Sequence, residues 1–148
     1  MTQDMFASEE EHTAMADLFE RWIDDPGNIK PALVKLQERL SAKETATLSF
    51  KSRPGISYSL RANVAKTGDI EERLFVMVDI VDDDPENRWL SVCFYGDMIT
   101  DPNEEGDLVP EGLLGEDGYC FDLYKYDDAA ISYLKQRIDE AYANSLSL

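Results

Sequence analysis

The sequence predicts an α+β domain built on an antiparallel sheet of about five strands, with two N-terminal helices and one C-terminal helix packed on one face. Three observations carry this. Apolar residues recur with helical spacing at both ends of the chain. They alternate with a period of two through the middle. Tight turns join the alternating runs, so neighbouring strands pair directly rather than through crossovers.

The first helix is announced by Ser8 and Glu11, spaced as a capping box. Met15, Leu18, Phe19, Trp22 and Ile23 follow as one apolar stripe. Asp24 to Asn28 supplies turn residues. A second helix begins near Pro31, which lacks the N–H that a first helical turn leaves unpaired, and Leu33, Leu36 and Leu40 form its inner side. From Thr45 the period changes. Ala46, Leu48 and Phe50 alternate with polar residues, and after Arg53-Pro54-Gly55 the run Ile56–Val64 does the same. Thr67-Gly68-Asp69 reads as a turn. Leu74–Val81 is apolar on both faces, as a central strand would be. Asp82–Asn87 reads as a solvated hairpin tip, Trp89–Tyr95 as a fourth strand and Tyr119–Tyr124 as a fifth. Asp127 or Asp128 caps a last helix whose stripe is Ile131, Leu134, Ile138, Ala141 and Tyr142. Neither an internal repeat nor a linker divides residues 1–148, so one domain is expected.

Charge narrows the function. The chain of 148 residues has 31 acids against 14 bases, a formal net charge of −17. Nucleic acids and anionic membranes are held by Lys and Arg neutralising phosphate, so neither is an expected partner. A protein partner is, and a basic one would suit the excess acid, which solubility by itself also explains. Between Trp89 and Tyr124 there is no Lys or Arg, yet Asp97, Asp101, Glu104, Glu105, Asp107, Glu111, Glu116, Asp117 and Asp122 all fall there. The interval from Gly96 to Gly118 is long for a loop in a domain of this size and carries Met98, Ile99, Leu108, Val109, Leu113 and Leu114. It is expected to fold back onto the sheet, where a packed lid over one end of the sheet would account for it, and where the functional reading makes it the contact surface of a non-catalytic interaction or regulatory module.

Two further constellations stand beside that reading. Lys51, Arg53 and Arg61 converge if the first two strands form a hairpin, giving a cationic face that would bind a phosphate- or carboxylate-bearing metabolite, or act on it enzymatically with loop carboxylates. An ordinary solvated sheet face produces the same pattern. Asp101, Asn103, Glu105, Gly106 and Asp107 match the opening of an EF-hand-like Ca²⁺ loop, but position 12 is Gly112, with Glu111 one residue early. A solvated acidic turn accounts for the residues better. By class analogy alone, small acidic α+β proteins also serve as secretion-type chaperones.

No phosphate-binding glycine loop, nucleophile elbow or zinc spacing is found, and no cofactor is expected. Cys93 and Cys120 lie in separate apolar runs and read as buried, reduced thiols. With Met1–Glu11 lacking a basic start and an apolar stretch, they suggest the cytoplasm. No apolar run approaches the about 20 residues of a membrane-spanning helix. Homodimers being the commonest oligomers, a dimer is the expectation for assembly.

Overall fold

The computed structural model describes residues 6–64 and 72–146. The turn expected at Thr67–Asp69 lies outside them. Among the described residues the elements run α1 (Glu9–Arg21), α2 (Ile29–Ser41), β1 (Ala46–Arg53), β2 (Ser57–Val64), β3 (Arg73–Val81), β4 (Trp89–Tyr95), β5 (Asp107–Leu113), β6 (Glu116–Leu123) and α3 (Asp128–Leu146). The sheet therefore has six strands, not about five. The additional strand, β5, arises inside the interval expected to be a loop.

Local chemistry sets the helix ends. The Ser8 hydroxyl accepts from Glu11 N at 3.2 Å, as the capping box requires. Chain direction changes at Trp22, whose backbone is already extended, so Ile23 leaves the stripe and is 84% exposed while Trp22 is 1% exposed. Asp25 accepts from Ile29 N and Lys30 N at 2.8 and 2.9 Å and so caps α2 from outside. Lys30 Nζ returns to the free carbonyls of Phe19 and Trp22, which ties the end of α1 to the start of α2. Asp127 accepts from Ala129 N and Ala130 N and caps α3.

All strand pairs are antiparallel, in the order β1-β2-β3-β4-β6-β5. The helices cover one face. Helix α1 lies on β1, α3 on β2 and β3, and α2 on α3 and β4. Leu48, Leu60, Val78, Val92 and Phe121 bring successive strands into the core they share with Leu18, Leu36 and Ile138.

The opposite face follows the register. One row reads Ser49, Arg61, Met77, Cys93, Cys120, Asp107, crossing all six strands. The next reads Lys51, Ser59, Asp79, Ser91, Asp122. Leu74, Met77, Cys93 and Leu113 form a small second core here. Cys93 and Cys120 face one another across β4 and β6 and form a disulfide. This corrects the expectation of reduced thiols, because strand pairing brings together residues 27 apart in sequence.

The two sheet margins differ. The outer side of β1 is occupied by its own chain: Ala7 N donates to Leu48 O at 2.7 Å, and Phe50 N donates to the Glu11 carboxylate at 2.8 Å. The outer side of β5 carries Pro110, which has no N–H, and a register shift between Val109 and Leu113.

Candidate functional site

The interval 96–118 is an anchored structure in two parts. Residues 96–106 run along α3. Met98 is buried, and its carbonyl accepts from Asn144 at 2.7 Å. Thr100 donates through both N and Oγ1 to Glu140 at 2.8 Å, and its carbonyl accepts from Arg137 at 3.2 Å. Asp101 closes a turn by accepting from Glu105 N and Gly106 N at 3.0 and 2.9 Å, and it also receives the Tyr133 hydroxyl. Burial would raise the Asp101 pKa, but the hydrogen bonds from Tyr133, Gly106, Glu105 and Tyr119 outweigh it and hold this carboxyl below its ordinary value.

The second part is the β5–β6 hairpin. Leu114 and Gly115, both with positive φ, make its turn, and Leu113 pairs with Glu116. Leu108 and Leu114 are 57% and 61% exposed, and Val109 is exposed beside them. Where β4 ends and the hairpin turns, a recess of about 680 Å³ opens between Tyr95, Leu108 and Tyr119, with Asp97, Glu116 and Asp117 at its walls. Burial and the charges of Glu116 and Asp97 raise the Tyr95 pKa, against the opposing pull of Arg73. Arg73 stacks on the Tyr95 ring at 5.9 Å and is the cation nearest the recess in sheet order. The site is thus an apolar floor with an acidic wall.

The cation-loop residues are distributed differently from the spacing pattern. Asp101 is engaged by backbone N–H groups. Asn103 N donates to Tyr133 Oη at 3.2 Å. Glu105 is exposed, and Asp107 belongs to β5, opposite Cys120. Glu111 sits in the bulge with positive φ, its N–H donating to Asp117 at 3.0 Å. Gly106 presses against two rings: a Cβ there would come within 2.7 Å of Phe121 and Tyr119. Among the described residues, no three His, Cys, Asp or Glu side chains gather to hold a metal ion.

Lys51, Arg53 and Arg61 do share the open sheet face, with Lys51 and Arg53 exposed. The sequence pattern missed the group next to them. Asp79 lies in their midst on β3, its Oδ1 shut off from solvent and without a hydrogen-bond partner among the described residues. Burial raises its pKa, and Ser59, Arg61 and Arg53 only partly offset this. A carboxyl with a raised folded-state pKa favours folding fully below its unfolded value, near 3.9, and loses that contribution as pH rises through the folded value. Asp79→Asn is therefore expected to raise the melting temperature at pH 7, with the gain vanishing near pH 3. Thermal melts across that range check this. An unchanged or lower melting temperature at pH 7 contradicts it.

The sequence signals that could have found the recess are few, because its walls come from the end of β4 and from the hairpin. None of the described helices is long and apolar enough to cross a membrane. No family model, curated protein or solved structure matches this chain.

Proposed function

We propose that the protein is a non-catalytic binding module that captures a basic, apolar-bearing segment of a partner protein at the β5–β6 hairpin. The observation that carries this is the recess of about 680 Å³, where Asp97, Glu116 and Asp117 surround Tyr95, Leu108 and Tyr119. A Lys or Arg side chain suits such a lining, since its apolar stem packs on rings while its head meets carboxylates. Exposed Leu108, Val109 and Leu114 extend the apolar contact along the hairpin. The surrounding negative field steers a cationic segment towards them. Anchoring of residues 96–106 on α3 keeps the surface preformed, which lowers the ordering cost of binding.

The test is a panel of Lys/Arg-bearing amphipathic peptides, with Glu-substituted copies as controls, titrated by calorimetry. Basic members are expected to bind, and more weakly as salt rises. Asp97→Lys with Glu116→Lys should weaken them about tenfold, near 1.4 kcal/mol, at an unchanged melting temperature. Binding of the acidic copies, or indifference to both substitutions, contradicts the proposal.

A second reading, small-anion binding by Lys51, Arg53 and Arg61, is supported by their shared face and weakened by Asp79 among them. The Cys93–Cys120 disulfide suits an oxidising compartment, in place of the reducing cytoplasm expected from two thiols.

A further inference from the structure

The open sheet face carries its charge in order. Its cations lie at one side, Lys51 and Arg53 on β1 and Arg61 on β2. Its exposed acids lie at the other, Asp122 on β6 and Asp107 on β5. Between them run β3 and β4, with Met77 and Cys93 in one row and Asp79 and Ser91 in the next. Among the described residues no helix covers this face, since α1, α2 and α3 pack on the other side, and only Leu113 of the hairpin folds onto it.

We propose that this face docks on the same face of a second copy, about a two-fold axis running along the strands between β3 and β4. Symmetry decides the arrangement. Such an axis exchanges β2 with β6 and β1 with β5, because the sheet order places these pairs equally far from its centre. Cations of each copy then meet acids of the other, twice over. Asp122 of the second copy comes above Ser59, with Lys51 and Arg61 on its two diagonals, and Asp107 comes above Ser49, next to Lys51. A two-fold axis running across the strands would instead set cations on cations. The charge order therefore favours one isologous sandwich and penalises the alternative.

Ser59, Met77 and Cys93 at the centre of the face are already only 5%, 8% and 9% exposed within one copy, so the charged margins carry the contact. Stacked sheets pack with strands nearly aligned, which this axis allows. The net charge of −17 on each copy opposes approach at long range. Physiological salt confines that repulsion to about 8 Å. This inference is independent of the hairpin recess, which lies at the strand ends.

Charge exchange tests it, by sedimentation at micromolar concentration and physiological salt. The wild type is expected to be a dimer. Lys51→Glu with Arg61→Glu should be monomeric, as should Asp107→Lys with Asp122→Lys, each with at least tenfold weaker association. Mixed one to one, the two variants should dimerise again, because each cross-copy pair regains opposite signs. Circular dichroism melts confirm that each variant folds. Should a double variant fail to fold, Arg61→Glu and Asp122→Lys alone make the same mixture. A monomeric wild type, variants that dimerise as the wild type does, or a mixture that stays monomeric each overturn the proposal.

Discussion

Replacing Asp82 by Ala is expected to cost about 3–5 kcal/mol of stability, the range for removing one partner of a buried ion pair. Asp82 is 3% exposed despite standing in a run of three aspartates. Its Oδ1 accepts from Arg88 Nε at 2.7 Å, and both side chains are almost wholly buried. Its Oδ2 accepts from Gly55 N at 2.8 Å, and its own N–H donates to Ile56 O. One carboxylate thus joins the β1–β2 turn to the β3–β4 connection. Arg88 also stacks over the Trp22 ring at 5.2 Å, so the guanidinium left behind would be unpaired beneath α1. Urea unfolding measures the loss. Asp83, exposed next door, provides the control, and Asp83→Ala should change stability by less than about 0.5 kcal/mol. Equal effects at the two positions would contradict this account.

Breaking the Cys93–Cys120 disulfide is the second large effect expected. The bond closes a chain segment of 27 residues. Loop-closure entropy of that length corresponds to about 3.5 kcal/mol. The closed segment holds residues 96–118, so reduction loosens the unfolded chain there and leaves the acidic hairpin held by strand pairing and by its contacts with α3. Cys93→Ser with Cys120→Ser should lower stability by about that amount, and reductant should do so in the wild type but not in the double variant. Hydrogen exchange should quicken first in β5 and β6. No difference between oxidised and reduced protein would show that the pair contributes no constraint.

Periodicity carried most of the fold. Strands β1 to β4 alternate or run apolar over seven or more residues, and the three helices have stripes and caps that read directly. Strand β5 was hidden for a physical reason. Its residues, Asp-Leu-Val-Pro-Glu-Gly-Leu, lie at the margin with only Leu113 buried, so burial imposes no alternation, and a bulge breaks what pairing there is. Ile23 was misplaced because stripe spacing does not register that α1 stops at Arg21. The aspartate run concealed Asp82 because its partners, Arg88 and Gly55, flank it from different connections. Lys51, Arg53 and Arg61 were legible as sharing one face since a short hairpin fixes their register, although Arg53 pairs with Ser57 and Arg61 with Ser49, on either side of Lys51 and Ser59. Asp79 and the disulfide depended on longer-range pairings, β2 with β3 and β4 with β6.

The unlike margins of the sheet bear on how the protein behaves when concentrated. A pleated sheet grows into fibres when a foreign strand can zip onto a vacant border. Here one border is already stitched shut by Ala7 and Glu11. The other presents an imino acid, a kink and carboxylates where an incoming backbone would want a straight ladder. Each border thus offers an incoming strand only an interrupted ladder to pair with.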